Sequence, residues 1–454
     1  MKTIILIITA AFLSVQTFCQ VSHIPSDHWM KYKNPEDAGF TLSEIEEIKS
    51  SYSASGSAAL IIVYDGAIVL SMGEVSRKHL DQSMRKSYLS ALFGIFIDRG
   101  LINLNETLAS LGIDDIFKLT DEEKQATVED LLTSRSGIYH PSAYSPANMI
   151  KNLPPRGSHN HGTFWYYNNW DFNTLAAIFE KKTSINVFEA FRDHISGPLQ
   201  MEDFEITDTF FKYETEKSNY PAYLFRLSAR DEARFGLLYL NNGKWNNTEI
   251  IPSSWISAST SQISEVVPGS PGRSGYGYLW CTDLTGQKEP YFDANGANGQ
   301  RIVVVPSRKL VIVNSTNSFD PSNIINDVKI DNLIDLVLRS QSGNIEPNPE
   351  LEPLLSETRV YPQYNLDNKF IETYSGNYSN KMLGTLSIVN ESGVWSVTTA
   401  IGTFRLHPVS DTEFIAEDME FTLNFTAVPD KEDKRTVTAK FDENKRIQKL
   451  VFSY

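Results

Sequence analysis

Two strongly apolar hairpins, far apart in the chain, constrain the fold more than any other feature. The first reads Ala58-Ala59-Leu60-Ile61-Ile62-Val63-Tyr64 and Ala67-Ile68-Val69-Leu70 around Asp65-Gly66, a dipeptide suited to a two-residue hairpin turn. The second reads Arg301-Ile302-Val303-Val304-Val305 and Leu310-Val311-Ile312-Val313, joined through Pro306-Ser307-Arg308-Lys309. Unbroken apolar runs of this length suggest central strands covered on both faces. Between them, helical patterns fall at 127–134, 170–182, 186–194 and 229–241. Strands from both ends of a region and helices from its middle predict an α+β domain. One antiparallel sheet flanked by helices would lie beside a helical lobe, and the cleft between them is a natural site.

The chain has 454 residues, enough for two or three domains. Residues 1–19 read as a signal peptide: Lys2 supplies the positive start and Ile4 to Leu13 a short apolar stretch. The mature protein is then expected outside the cytoplasm, periplasmic or secreted. Phe18 is too bulky for lipid anchoring at Cys19. Residues 20–340 form the α+β domain. From 341 to 362, Ser342-Gly343-Asn344 and Pro347, Pro349 and Pro353 mark a linker without regular structure. Residues 363–454 are almost purely strand-like, with Leu386 and Ile388, then Phe421, Leu423 and Phe425, then Val437, Ala439 and Phe441 alternating. They predict a small β-barrel or β-sandwich accessory domain. Its one hint of a ligand role is a carbohydrate-binding surface with Trp395 as an exposed aromatic. With Cys19 removed, Cys281 has no partner and reads as a small buried thiol.

Chemistry enters at Ser83-Met84-Arg85-Lys86, at the mouth of the apolar run that ends near Gly100. Positions i and i+3 share a helical face, so the hydroxyl of Ser83 and the amine of Lys86 can meet. A lysine among apolar neighbours loses its proton more readily, and a neutral amine can take the proton of a serine. A second cluster is Tyr167-Asn168-Asn169. In an extended loop Tyr167 and Asn169 point the same way. A nearby ammonium would favour the phenolate of Tyr167, making it a possible general base, and the Asn169 amide could bind a substrate amide or ester. An aromatic core segment with a helix cap at Asn169 is the plainer reading. A third cluster, Ala294-Asn295-Gly296-Ala297-Asn298-Gly299, lets backbone approach a ligand. An N–H there, with that of Ser83, could hold an oxyanion.

In order and spacing, these clusters resemble the serine β-lactamase and penicillin-binding-protein superfamily, especially class C-like serine hydrolases and esterases and 6-aminohexanoate-dimer hydrolases. The resemblance covers roughly residues 30 to 340. Ser83-x-x-Lys86 resembles S-x-x-K, which implies Ser83 as acylated nucleophile and Lys86 as proton acceptor. Tyr167-x-Asn169 resembles Y-x-N, which implies a general base and a substrate anchor. Ala294-Asn295-Gly296 falls where K-T-G or H-x-G stands, and Ala297 would supply the second oxyanion N–H. Further landmarks are Asp130 to Gly137, Gly197 to Met201 and Ser228 to Gly236. One departure matters: Ala294 replaces the cation that commonly engages a carboxylate. Arg301 is the candidate substitute. The resemblance therefore implies a hydrolase that cleaves an ester or amide through a Ser83 acyl-enzyme, and the signal peptide adds that it is exported. Its alternatives are a β-lactamase, a D-alanyl-D-alanine carboxypeptidase, or a binding protein that acylates without turnover and senses cell-wall fragments.

A net charge of −15 argues against nucleic-acid partners. No G-x-S-x-G elbow occurs. His159 and His161 lack the further ligands of a zinc hydrolase and read as an exposed loop. The expected partner is a small-molecule or peptide-like acyl substrate, with no metal, no cofactor and no transmembrane segment. The sequence leaves the oligomeric state open.

Overall fold

The computed structural model describes residues 21–453 apart from 266–274, 284–289, 318–326, 356–360, 363, 367–368, 381–383, 392, 400–401, 420, 427–434 and 444–445. The proposed signal peptide and Cys19 lie outside the described residues.

The two apolar hairpins are joined at the centre of one sheet. Strand Ala59–Tyr64 turns at Asp65 (φ 46°) and Gly66 (φ 89°) into Ala67–Gly73. Gln300–Val305 likewise pairs with Leu310–Ser315. The hairpins meet antiparallel, with Ile312 opposite Ile62 and Val313 opposite Ile61. Among the described residues this sheet has ten strands, with Tyr291–Gly296 beside Gln300–Val305 on one side and Met30–Tyr32 beyond Ala67–Gly73 on the other.

Both faces are covered, as unbroken apolar runs require. Leu60, Ile62, Val303 and Ile312 pack with Ile45 and Ile48 of helix Leu42–Ser55 and with Ile330, Leu333 and Val337 of helix Asp327–Ser340. Ile61, Val63, Ile302, Val304 and Val311 face the other way. They pack with Leu237 and Leu238 of helix Ala229–Leu240 and with the helical lobe. Each such side chain taken fully out of water is worth roughly 1.5–3 kcal/mol. The lobe holds helices Val128–Leu132, Asn169–Thr183 and Val187–Phe191, close to the patterns read from the sequence. Between lobe and sheet runs helix Arg85–Asp98, buried on every side from Arg85 to Phe96.

Part of the expected linker is regular structure. Gln341–Ile345 pairs with Ala38–Phe40, and Leu351–Pro353 pairs with Met30–Tyr32 as the last strand of the main sheet. Unpaired backbone at a sheet edge recruits extended chain whatever its side chains, and Pro353 is tolerated at the end of an edge strand.

The C-terminal strands form a closed barrel of eight, from Gly376–Asn380 to Arg446–Ser453, sealed where Ser379 pairs with Ser453. Tyr378, Ile388, Val397, Phe404, Phe414, Leu423 and Phe452 fill it. Trp395 belongs to this core, 5% exposed and 5.2 Å from Phe414, so it is not a surface aromatic. Inward alternation on its strand, with Val397 two residues on, turns it into the barrel. Among the described residues no helix is long and apolar enough to cross a membrane.

Candidate active site

Ser83 lies in a 3-10 turn, Gln82–Met84, that runs straight into the buried helix Arg85–Asp98. The residue before it, Gln82, holds φ 52°, a left-handed conformation that side-chain-bearing residues adopt at a cost of about 1–3 kcal/mol and that concentrates at functional sites. Ser83 itself is half-buried. As a first-turn residue it has an N–H with no intrahelical acceptor.

Lys86 completes the pair. Its Nζ donates to Ser83 Oγ at 2.8 Å. The amine is 3% exposed and lies 4.8 Å from the ring centroids of both Tyr167 and Phe172. Burial pushes its pKa well below the ordinary lysine value, and the neighbouring Arg85 guanidinium pushes the same way, while Cys281 opposes them. An amine held toward neutrality can accept the hydroxyl proton rather than only donate to the oxygen.

Tyr167 lies beside Ser83, and its pKa is shifted opposite to the direction the sequence led us to expect. Its phenol has Ser83 as a hydrogen-bonding neighbour, but burial pushes its pKa above the usual tyrosine range, outweighing the lowering by Ser83. The expected phenolate needed a lysine ammonium beside it. Burial disfavours that ammonium at Lys86, and the field of the Arg85 guanidinium, which favours the phenolate, is outweighed by the burial of Tyr167 itself. The phenol of Tyr167 is therefore protonated at rest.

Asn169 differs as well. It is not part of an extended loop but the first residue of helix Asn169–Thr183, whose cap is Asn168, with Oδ1 accepting from the Trp170 N–H. Asn169 Nδ2 donates to the Tyr144 carbonyl at 2.7 Å, and its buried Oδ1 has no hydrogen-bond partner among the described residues. Of the aromatic residues beside it, Trp165 flanks Tyr167 at 6.5 Å. Trp170 is fully buried, with its Nε1 donating to Asp115 at 2.8 Å.

The third cluster forms the end of strand Tyr291–Gly296. Ala294 is buried in the same core as Met84. Gly296 lies against the nucleophile turn: a Cβ there would stand 2.6 Å from the Asp81 carbonyl oxygen. Ala297 follows, exposed, at the start of the turn Ala297–Gly299. Asn295 faces away and accepts from Arg301 Nη1 at 2.6 Å. Arg301 does not replace the missing cation. It sits opposite Asn295 in the ladder, bonds the Gly296 carbonyl at 3.1 Å, and points to Asp327 and Asp331 at 3.6 and 3.7 Å.

Four neighbours escaped sequence reasoning. Asp81, fully buried, accepts the Leu227 N–H at 2.9 Å, while its carbonyl accepts the Met84 N–H at 3.0 Å. Tyr144 donates to Gln82 Oε1 at 2.8 Å. Arg85, inside the quoted motif, is 1% exposed with its guanidinium 4.3 Å from the Tyr223 ring centroid. Cys281 is half-buried and close enough for its charge state to act on both Lys86 and Tyr167. Long-range packing brings Tyr144 and Cys281 here and buries Asp81 and Arg85, so no local signal marked their roles.

Other landmarks are structural. Asp231 accepts the N–H groups of Glu202, Asp203 and Phe204 at 2.7–3.0 Å. His161 bonds Asp130 at 3.1 Å and His159 stacks on Phe164 at 3.9 Å, so both are half-buried rather than an open loop.

Residues 46–332 match the family model described as Beta-lactamase. No curated protein matches the chain. Among solved structures it is similar to a candidate 6-aminohexanoate-dimer hydrolase from Bacillus anthracis, at 21% identity over 71% of this chain and 88% of that one, with a TM-score of 0.53. A family VIII carboxylesterase matches at 16% identity, 66% and 99% coverage and a TM-score of 0.51. SurE with D-Leu matches at 17% identity over 90% of this chain and 99% of that one, with a TM-score of 0.50. These likenesses are of fold.

Proposed function

The chain belongs to the beta-lactamase family of serine hydrolases, and from that premise we propose that it cleaves a small ester or an uncharged amide through an acyl-enzyme on Ser83. The 2.8 Å contact between Ser83 Oγ and the buried amine of Lys86 carries this reading. Ser83 attacks the acyl carbon as Lys86 takes its proton. The N–H groups of Ser83 and Ala297 receive the oxyanion. Tyr167, protonated at rest, hands its proton to the leaving group and recovers one from the Lys86 ammonium, which leaves the amine neutral again. Water then attacks the acyl group, with the neutral amine as base.

Ala294 favours an ester or uncharged amide over a penicillin. A β-lactam or a peptide terminus brings a carboxylate, and the alanine offers it no charge; Arg301 is spent on Asn295, Asp327 and Asp331. Export remains part of the proposal, resting on the apolar leader.

The test is a panel of short p-nitrophenyl esters, nitrocefin and D-amino-acid peptides, with fluorophosphonate labelling alongside. Ester turnover and labelling are expected, both lost in Ser83→Ala. Labelling that persists in Ser83→Ala rejects the nucleophile. Nitrocefin turned over faster than every ester would favour the β-lactamase reading.

A further inference from the structure

We propose that the C-terminal barrel holds the nucleophile turn in its working shape and that Arg226 is the positioning residue that carries the restraint; the proposal rests on Ser83 as the nucleophile. Arg226 stands opposite Leu80 in the pairing of strands Lys78–Leu80 and Ala222–Ser228. The next residues after Leu80 are Asp81, Gln82 and Ser83. The two neighbours of Arg226 grip Asp81 from both sides: Asp81 N–H donates to the Phe225 carbonyl at 3.1 Å, and Leu227 N–H donates to Asp81 Oδ1 at 2.9 Å.

The Arg226 side chain leaves the hydrolase domain. Its Nη2 donates to the Thr403 carbonyl of the barrel at 2.8 Å and to Asp208 Oδ1 at 3.1 Å. The guanidinium covers the ring of Phe404 at 4.2 Å, and Phe404 is itself core to the barrel. Beside it, Lys78 joins Asp208 at 3.1 Å to Glu417 and Asp418 of the barrel at 3.7 Å each. Arg77 Nε donates to the Asp418 carbonyl at 3.2 Å. The barrel also lies close against the neighbouring strand Thr209–Lys212, where a Cβ on Gly402 would stand 3.0 Å from the Phe210 ring.

Two physical facts give this arrangement a purpose. Buried charges are costly unless every partner is well placed, so a cluster of this kind fixes geometry more than it adds stability. The left-handed Gln82 needs surroundings that over-determine it. Asp81 supplies the nearest restraint, its strand partner supplies the next, and the barrel anchors that strand through Arg226. A chain of packed, hydrogen-bonded contacts of this kind is a physical route for coupling, and its energy is measurable.

The experiment uses the full chain and reads fluorophosphonate labelling of Ser83, with kcat and KM on a p-nitrophenyl ester. Arg226→Met should lower the labelling rate and kcat at least tenfold, with KM within about twofold of the parent. Phe404→Leu keeps an apolar barrel core while removing the aromatic platform, and should lower kcat severalfold. In the double variant the two losses should fall short of multiplying. A parent that is not labelled overturns the nucleophile reading and this proposal with it. A labelled parent whose folded Arg226→Met or Phe404→Leu variant keeps its labelling rate and kcat overturns this proposal alone. Should Arg226→Met fail to fold, the Phe404→Leu rates decide by themselves.

Discussion

Gly296 touches the backbone that precedes the nucleophile: its missing Cβ would lie 2.6 Å from the carbonyl oxygen of Asp81 and 2.8 Å from the Cβ of Gln300. Its own backbone, at φ −116° and ψ 148°, is open to any residue, so space alone selects glycine here. Gly296→Ala must push the Asp81–Ser83 turn away from the strand end that carries the Ala297 N–H. The expected result is a fall in kcat/KM of roughly ten- to a hundredfold, about 1.4–2.7 kcal/mol in the barrier, with a cooperative thermal transition retained. Steady-state kinetics on an ester beside a melting curve check this, and unchanged kinetics would remove the third cluster from the site.

Lys86 predicts the pH profile. In the proposed mechanism its neutral form is the base, and its pKa lies well below the ordinary 10.5. Activity should therefore fall as pH drops through that lowered value and be full well below pH 10.5. Tyr167 is shifted the opposite way, so the phenol should stay protonated beyond the ordinary 10 and the alkaline limb should start late. Stability follows with its own sign. Between the lowered value and 10.5 the unfolded chain binds a proton at this lysine that the folded chain does not, so stability rises with pH across that window. Each unit of lowering is worth about 1.4 kcal/mol. Lys86→Met should abolish turnover, flatten that slope and raise the melting temperature at neutral pH. Urea titrations of both proteins at several pH values would expose a wrong sign directly.

What the sequence made legible follows from range. The apolar hairpins and the Ser83–Lys86 spacing are local patterns, and the structure brings each together as spaced. The closed barrel was readable to the level of alternating strands, since inward side chains such as Leu423 and Phe425 repeat every second residue. Asp81 could not be read, because its partner Leu227 is met only through strand pairing. The protonation of Tyr167 could not be read for a related reason: its position near Lys86 was visible, but the burial that raises its pKa is a property of the assembled lobe. The strands at 341–345 and 351–353 were hidden because edge pairing uses backbone that composition does not report.

Gly94 gives a stability prediction separate from chemistry. It lies two turns past Lys86 on the buried helix, and a Cβ there would stand 2.3 Å from the Trp255 ring. Alanine normally gains about 1 kcal/mol over glycine inside a helix. Here the overlap with a large, packed ring outweighs that, at a cost of about 1–3 kcal/mol. Gly94→Ala should lower the denaturation midpoint while the folded fraction keeps its kcat. Equal or greater stability in that variant would mean the indole moves freely, and the helix is less tightly packed than its burial indicates.

Cys281 offers a chemical handle on the site. The thiol is half-buried, on strand Cys281–Asp283, and acts electrostatically on both Lys86 and Tyr167. Nearby, the Ser87 hydroxyl donates to the Leu279 carbonyl at 2.9 Å, tying this segment to the nucleophile helix. A bulky adduct on the sulfur must crowd the space between the amine and the phenol. Maleimide treatment should therefore block fluorophosphonate labelling of Ser83, and the block should follow the modified fraction of Cys281 measured by mass. Cys281→Ser, nearly isosteric, should escape the block while retaining activity within a few fold. If the fully modified protein still labels at the parent rate, the thiol faces away from the reacting atoms, and the field it exerts on Lys86 does not reflect a shared cavity.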